Sequence, residues 1–167
     1  MRRVAKAVNF GIIYGISGFG LGENIGVSAK EAKEFIDTYL ETYPGIKDYM
    51  EKTIKEAQEE GYVKTMFGRK RNIPELKNTV YTIRQSGERI ALNTPIQGTA
   101  ADIIKLAMVK VYKALQTNHL KSKMIIQVHD ELVFDLYEDE LEKLNKIVTE
   151  IMDNVYELKV PLHVSRS

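Results

Sequence analysis

The chain has 167 residues, of which 44% are hydrophobic and 28% charged, and its formal net charge is +1. This composition predicts a globular protein with a real core, of about one domain, and excludes the disordered and transmembrane classes. Because the chain has no cysteine, it has neither a disulfide framework nor a thiolate metal site. We see no signal peptide and therefore expect a cytoplasmic protein with no membrane partner.

The first predicted element is a helix whose notable side chains recur every four residues. They are Arg2, Lys6, Phe10 and Tyr14. On an α-helix each lies about 40° and about 6 Å from the last, so two cations and two aromatics form one stripe about 18 Å long. A nucleotide, with its charged phosphates and flat base, has this shape. Any amphipathic surface helix shows the same spacing, so the stripe alone leaves both interpretations open.

The next segment is rich in glycine and is followed by two helices. Four glycines in residues 15–22 predict the end of the first helix and a loop. Ser28 and Glu31 form a capping box, which predicts a helix over about 29–43. A further helix is predicted over about 46–60. We assign no chemistry to this helix pair.

Residues 62–74 predict a β-hairpin with a basic tip, because a strand pattern leads into Gly68-Arg69-Lys70-Arg71. These cations could be solvated, or they could touch phosphates and so position a duplex. A helical pattern resumes near residue 79 and is expected to break at Pro95. A new, strongly apolar core helix is predicted to begin near Gln97.

Two apolar strand patterns then flank His129-Asp130-Glu131, which predicts a second β-hairpin with His129 and Asp130 at or near its turn. A carboxylate on a rigid hairpin can hold Mg²⁺, which takes oxygen ligands from carboxylates and substrate phosphates. An ordinary polar turn would explain the same residues. A last helix begins near Glu138, and a short strand is predicted over residues 160–164.

Three stretches of the chain resemble family A DNA polymerases, the bacterial DNA polymerase I type, and they occur in that family's order. They are Arg-x3-Lys-x3-Phe-x3-Tyr-Gly at 2–15, the run from Arg89 to Asp102, and Gln-Val-His-Asp-Glu-Leu-Val at 127–133. The resemblance covers essentially the whole chain. It implies an α/β (α+β) fold, with mainly helical fingers and part of an antiparallel palm sheet that carries the His-Asp-Glu hairpin.

The resemblance also implies a domain organisation and a function. Residues 1–75 would belong to the fingers, and residues 76–167 to the remainder of the fingers and the C-terminal palm. The implied reaction is template-directed DNA synthesis in replication or repair, by nucleotidyl transfer from a dNTP to a primer 3′-hydroxyl. The implied cofactor is Mg²⁺, two ions in the complete enzyme, and the implied partners are primer-template DNA and a dNTP. We expect a monomer within a longer chain.

The site residues follow from the matching positions of the family's motifs. The implied nucleotide-binding residues are Arg2, Lys6, Phe10 and Tyr14. Lys6 is also an implied catalytic residue, and Asp130 is the implied catalytic metal ligand. The implied DNA-binding residues are Gly15, Arg71, Arg89, Asn93, Gln97, His129 and Glu131. Because family members with Tyr at the position of Phe10 accept dideoxynucleotides more readily, Phe10 implies discrimination against them.

One departure from the family pattern limits the expected activity. The family's second metal-binding aspartate lies in an Asp-Tyr-Ser-type motif before the fingers helix, and this sequence contains no match to it. We therefore expect a polymerase fragment that lacks the upstream palm strand, the thumb and any exonuclease domain. We expect negligible polymerase activity from the 167 residues alone.

Two other functions stay open from the sequence. A single-subunit RNA polymerase shares the palm, a fingers Lys, Tyr-Gly and a His-Asp motif, but Phe10 and Glu131 disfavour it. A non-catalytic nucleic-acid-binding module would use Arg2, Lys6 and the Arg69–Arg71 turn. That module gives no reason for the His-Asp hairpin.

Overall fold

The structure is a computed structural model that describes residues 2–166, with side chains from Val4 onward. Within this range the helices are α1 (Arg2–Ile13), α2 (Gly18–Ile25), α3 (Ala29–Thr42), α4 (Pro44–Glu60), α5 (Tyr81–Thr117) and α6 (Leu141–Asp153). The strands are β1 (Tyr62–Lys64), β2 (Lys70–Asn72), β3 (Lys123–Val128) and β4 (Glu131–Asp135). They form two antiparallel pairs, β1–β2 and β3–β4, so the predicted α+β class is confirmed. No helix in the described range has the length and apolar character that a membrane span requires.

Contacts divide the chain into two compact units, Met1–Thr99 and Ala100–Ser167, and α5 runs through the boundary. The first unit contains a core cluster made of Ala57, Val63, Ile73, Leu76 and Ala91. The second unit has its own cluster around Val111, Leu115 and Leu144. This division separates the two compact cores. It does not test the predicted domain boundary between residues 75 and 76, which stays a prediction.

α1 ends before the glycine-rich segment, as predicted, but the predicted loop is wrong from Gly18 onward, where α2 begins. The Ser17 side chain caps α2 by accepting a backbone N–H bond. A Cβ on Gly18 would lie 3.0 Å from the Ala29 carbonyl oxygen, and one on Gly22 would lie 2.8 Å from that of Val27. The glycines therefore let α2 pack closely against the start of α3. The sequence pattern indicates only that glycines disfavour a helix, and tertiary packing overrides that tendency here.

The two predicted helices that follow are confirmed as α3 and α4. The capping box is present, since the Ser28 hydroxyl accepts the Glu31 N–H at 3.2 Å and the Glu31 carboxylate accepts the Ser28 N–H at 3.0 Å. Pro44 begins α4 because a first-turn residue needs no intrahelical N–H bond. Gly61 ends α4 with a φ of 79°, a left-handed conformation that glycine adopts at little cost.

α5 is continuous, so the predicted break at Pro95 is wrong. A proline inside a helix costs about 3 kcal/mol, because it removes one N–H donor and its ring crowds the preceding turn. Here the Thr94 hydroxyl donates to the Ile90 carbonyl at 2.7 Å, and the Thr99 hydroxyl donates to the Pro95 carbonyl. One bond ends on a carbonyl in the turn before the proline, and the other ends on the carbonyl of Pro95 itself. Contacts with the β1–β2 hairpin reach the same part of the helix, at Thr94, Gly98 and Thr99.

The second unit is built around the β3–β4 hairpin, α6 and the last turns of α5. Partly buried apolar side chains complete its core cluster: Leu120, Met124, Phe134, Val148 and Ile151. The predicted strand over residues 160–164 is wrong. The Val164 N–H donates to the Asp153 carboxylate at 2.8 Å rather than to a neighbouring strand. This side-chain acceptor at the end of α6 satisfies the backbone group that a strand partner would otherwise take.

Candidate functional site

The described part of the α1 stripe is a continuous line of contacts. The Lys6 ammonium lies 5.9 Å from the Phe10 ring centroid, and the Phe10 and Tyr14 centroids are 6.1 Å apart at 38°. Phe10 is 50% exposed, although a large apolar side chain on a helix usually faces a core. The side chain of Arg2 lies outside the described residues. We call Lys6, Phe10 and Tyr14 the α1 strip. It offers an exposed cation beside two aromatic faces.

Gly15 follows the α1 strip and lies against α5 within the first unit. Its φ is 74°, and a Cβ there would lie 3.0 Å from Leu92 Cδ1 and 3.3 Å from Arg89 Cγ. The positive φ therefore favours glycine at this position, and an added Cβ would also require the Leu92 or Arg89 side chain to move slightly. The structure thus brings two predicted site residues, Gly15 and Arg89, into contact.

Three predicted DNA-binding residues share one face of α5. Arg89, Asn93 and Gln97 follow at intervals of four residues, and Arg89 and Gln97 are exposed. The Asn93 Oδ1 is buried and has no hydrogen-bond partner among the described residues. Because α5 continues past Pro95, neither Asn93 nor Gln97 lies at a helix end. A buried acceptor without a partner needs an explanation, and an external donor is one.

The β1–β2 hairpin uses its cations in a way that the sequence analysis did not anticipate. Arg69 Nη2 donates to the Gly98 carbonyl at 3.0 Å, and Arg71 Nη1 donates to the Thr94 hydroxyl at 3.3 Å. Lys70 lies on the other face, with its ammonium 4.2 Å from the Tyr62 ring centroid. The period-2 alternation of a strand could have predicted this separation of Arg69 and Arg71 from Lys70.

The β3–β4 hairpin carries His129 and Asp130 at its turn, as predicted, and Glu131 begins β4. His129 has a φ of 52°, which costs a residue with a Cβ about 1–2 kcal/mol. The Gln127 side-chain amide donates to the His129 carbonyl and so braces the turn. His119, after α5, has a φ of 53°, so this conformation is not by itself a sign of function.

The base of the same hairpin is held by one carboxylate. Glu140 accepts the backbone N–H groups of Lys121 and Ser122, each at 2.8 Å, and the Ser122 hydroxyl at 2.7 Å. Ser122 is 2% exposed and its oxygen also accepts the Tyr137 N–H at 3.0 Å. The bonds from Lys121 and Ser122 hold the pKa of Glu140 below its ordinary value. The hairpin is therefore anchored at its base, while His129 and Asp130 at its tip are exposed.

The donor set at this tip fits part of a Mg²⁺ site. Asp130 and Glu131 are exposed, and neither side chain has a hydrogen bond or an ion pair with another described residue. Carboxylate oxygens suit Mg²⁺, which commonly takes one or two of them and completes its shell with water and phosphate. Residues 2–166 contain no group of three His, Cys, Asp or Glu side chains that could hold a metal ion.

A cleft of about 270 Å³ lies elsewhere in the first unit, between α4, β1 and Pro95. Its described lining includes Tyr49, Glu56, Glu60 and Lys64, none of which was predicted as a site residue. Burial raises the pKa of the Tyr49 hydroxyl, and the bond with Thr53 opposes that effect. The cleft is open and mixed in charge, and we assign it no chemistry.

Comparisons with known proteins agree with the motifs. The sequence model of DNA polymerase family A matches residues 1–167. The chain is 54% identical over 164 residues to DNA polymerase I of Caldicellulosiruptor bescii and 52% identical over 164 residues to that of Bacillus subtilis. Each alignment covers 98% of this chain and 19% of the relative.

A solved structure is also similar. It is the Pol domain of Pol1 from M. smegmatis in complex with DNA primer-template and dNTP, with a TM-score of 0.93 and 43% sequence identity. The match covers 98% of this chain and 29% of that chain. The present chain thus spans about a fifth of the length of the curated relatives it matches. With the family matched along its whole length, the chain belongs to DNA polymerase family A.

Proposed function

We propose that the chain is part of a DNA-directed DNA polymerase that transfers a nucleotidyl group from a dNTP to a primer 3′-hydroxyl in replication or repair. The observation that carries the proposal is the α1 strip, in which the Lys6 ammonium, the Phe10 ring and the Tyr14 ring follow in order. Phosphate, sugar and base of a dNTP need a cation and apolar faces in the same order. Family membership favours this reaction over RNA synthesis.

Arg2, the α1 strip and Gly15 each have a proposed role toward the nucleotide or the template base. Lys6, with Arg2, would hold the triphosphate, and Lys6 would also donate a proton to the leaving pyrophosphate. Phe10 would pack against the sugar and the base. Tyr14 and Gly15 would border the pocket of the template base. Phosphoryl transfer depends mainly on positioning and charge neutralisation, so a single well-placed cation contributes strongly.

Asp130 is proposed as the metal-binding carboxylate of the palm. Two Mg²⁺ ions, when bound in the complete enzyme, neutralise charge on the attacking and leaving oxygens. The strained turn at His129 and the brace from Gln127 fix the direction in which the hairpin presents the carboxylate. His129 and Glu131 are proposed to lie near the primer end. The exposed tip leaves room for substrate and for carboxylates from other parts of a longer chain.

The α5 face is proposed to contact primer-template DNA. Arg89 supplies a cation for phosphates, and Gln97 supplies an exposed amide. Asn93 Oδ1, which has no partner among the described residues, is an acceptor for a donor on the nucleic acid. Arg71 is proposed to reach the DNA with the guanidinium N–H groups that its bond to Thr94 does not use. We further propose a monomer within a longer chain, with fingers over residues 1–75.

The experiment is dNTP-dependent primer extension by a chimeric polymerase in which residues 1–167 replace the matching segment of a family A relative. Lys6→Met should lower kcat/KM for dNTP by about 10²–10³-fold, because it removes a charge from the reacting phosphates. Lys47→Met, at an exposed lysine of α4, is the matched control and should leave kcat/KM unchanged. Equal losses in both variants, or an inactive unmutated chimera, would contradict the proposal.

A second measurement addresses the 167-residue chain by itself. The family's metal-binding pair is represented here by Asp130 alone, so the purified chain should extend a primer negligibly in Mg²⁺ and dNTPs. The chimera should extend the same primer under the same conditions. Primer extension by the 167-residue chain would refute the assignment of a single metal-binding aspartate to it.

A further inference from the structure

The β1–β2 hairpin is joined to α5 by two hydrogen-bond relays that pass through buried threonines. In one relay the Met66 N–H donates to the Thr99 hydroxyl at 3.0 Å, and that hydroxyl donates to the Pro95 carbonyl. In the other, Arg71 donates to the Thr94 hydroxyl, which donates to the Ile90 carbonyl. Thr94 and Thr99 are 7% and 6% exposed. Each hydroxyl therefore links a hairpin donor to a helix carbonyl and keeps little contact with water.

A close packing contact lies between these relays. A Cβ on Gly98 would lie 2.7 Å from Thr65 Cγ2, so only glycine lets the hairpin approach α5 at this point. Thr65 is 5% exposed, and Arg69 beside it donates to the Gly98 carbonyl. Along the hairpin, Thr65, Arg69 and Arg71 thus face the helix, while Lys64 and Lys70 face away beside Tyr62.

The segment of α5 that the hairpin contacts contains two residues that weaken a helix, Pro95 and Gly98. Pro95 lacks the N–H that the helix would use, and Gly98 has the greatest backbone freedom. Asn93 and Gln97 lie in or next to this segment, on the α5 face that also carries Arg89. Their orientation therefore depends on contacts from outside the helix.

We propose that the β1–β2 hairpin is a positioning device for the DNA-facing side of α5, with Thr99 and Arg69 as its positioning residues. We call this arrangement the hairpin clamp: the hairpin and its contacts to residues 94–99. Arg69 and Thr99 themselves need not touch DNA, because they act on Asn93 and Gln97 through the backbone of α5. The inference rests on the proposed function, which gives that face primer-template DNA as its partner.

The test is the affinity of the chimeric polymerase for a fluorescent primer-template duplex, measured by anisotropy without dNTP. Thr99→Val keeps the shape and removes one relay, and Arg69→Met keeps the stem and removes the bond to Gly98. Each should raise Kd for DNA by about fivefold to tenfold, the effect of losing one net hydrogen bond. KM for dNTP should stay within about twofold in both, because the α1 strip is not altered. Thr99→Ser keeps the hydroxyl and should restore the original Kd.

Two residues of the same unit provide matched controls. The Thr42 hydroxyl donates to the Thr38 carbonyl at 2.8 Å, so Thr42→Val removes a similar helical bond away from the clamp. Arg84 Nη1 donates to the Asn78 carbonyl at 3.2 Å, so Arg84→Met removes a similar guanidinium bond. Both controls should leave Kd for DNA unchanged. If either control raised Kd for DNA as much as Thr99→Val does, the proposal would be overturned.

Hydrogen exchange on the same proteins separates the clamp from the proposed function. Amides of residues 96–101 should exchange at least about tenfold faster in Thr99→Val and Arg69→Met, with α3 unchanged. Faster exchange and weaker DNA binding support the clamp even if the unmutated chimera extends no primer, an outcome that contradicts only the proposed function. Unchanged exchange at residues 96–101, or unchanged Kd in both variants, would overturn the proposal. If Thr99→Val loses hydrogen-exchange protection along the whole chain, the variant is unfolded. The exchange and Kd values of Arg69→Met then decide whether the proposal stands.

Discussion

The two hairpins of this chain present polar residues in opposite ways. The β1–β2 hairpin docks its arginines on α5, where Arg69 and Arg71 donate to the Gly98 carbonyl and the Thr94 hydroxyl. The β3–β4 hairpin is held at its base by Glu140 and leaves Asp130 exposed at its turn. The arginines of one hairpin therefore form bonds within the protein, whereas the carboxylate at the turn of the other has no such bond with the described residues and stays available for a ligand. A polar turn in a sequence says little until the partners of its side chains are known.

The largest expected effect concerns the exposed tip. Asp130→Asn in the chimera should lower kcat for primer extension by at least about 10³-fold, because it removes the carboxylate proposed to hold the metal ion. Asp135→Asn, an exposed carboxylate at the base of the same hairpin, should leave kcat within about twofold. Initial rates over a range of Mg²⁺ concentrations measure both. Similar kcat values for the two variants would contradict the assignment of the metal ion to the carboxylate at the tip of the hairpin.

A smaller effect is expected where the other hairpin is docked. Gly98→Ala should lower the free energy of unfolding by about 1–3 kcal/mol, because the added Cβ would lie 2.7 Å from Thr65 Cγ2. Gly45→Ala is the matched control, since a Cβ there meets nothing within 4 Å. That control should be neutral or stabilising by up to about 1 kcal/mol. Urea unfolding followed by circular dichroism measures both, and equal destabilisation would show that the hairpin is not closely docked.

The base of the β3–β4 hairpin should show a pH dependence of stability. The bonds from Lys121 and Ser122 lower the pKa of Glu140 in the folded state. Its stabilising contribution is therefore present above the ordinary value of 4.5 and is lost as pH falls through the lowered pKa. Glu140→Gln should destabilise the chain at pH 7 and have a diminishing effect as the solution is acidified. Glu142→Gln, whose carboxylate makes none of these bonds, is the control. A Glu140→Gln effect that is the same at pH 7 and pH 3 would contradict this account.

The smallest expected effect compares the two faces of the β1–β2 hairpin. Arg71→Met should lower the free energy of unfolding by about 1 kcal/mol, since the Thr94 hydroxyl loses its donor. Lys70→Met should change it by less than about 0.5 kcal/mol, because it removes one cation–π contact but also relieves the like charge of Lys64 directly across the strands. Both substitutions remove one positive charge, so the comparison controls for the change in net charge. Equal values would indicate that charge alone matters.

Local patterns predicted those parts of the fold that depend on residues close together in the chain. The capping box of α3 needs only Ser28 and Glu31, and the β3–β4 turn needs only the strands beside it. α2 and the unbroken α5 depend instead on close packing at Gly22 and on hairpin contacts around Pro95. Sequence rules assign those residues to loops and breaks, because the compensating partners are not local.

The candidate site likewise contains residues that local patterns predict and residues whose contacts only the fold reveals. Helical spacing and the hairpin turn, with the family resemblance, predicted the residues of the α1 strip and Asp130 as candidate site residues. The use of Arg69 and Arg71 could not be predicted in this way, since their acceptors lie 29 and 23 residues away in the chain. Only the folded structure shows that Arg69 and Arg71 are already engaged within the protein.

The most direct test of the contrast between the hairpins is one steady-state series on the chimera, with primer extension measured as the primer-template concentration is varied. Asp130→Asn and Thr99→Val are assayed beside the unmutated protein. We expect Asp130→Asn to lower kcat with KM for DNA little changed, whereas Thr99→Val should raise KM for DNA with kcat little changed. If both variants alter the same kinetic parameter by similar factors, the proposed contrast is contradicted. That contrast gives the β3–β4 turn a catalytic role and the β1–β2 hairpin a positioning role.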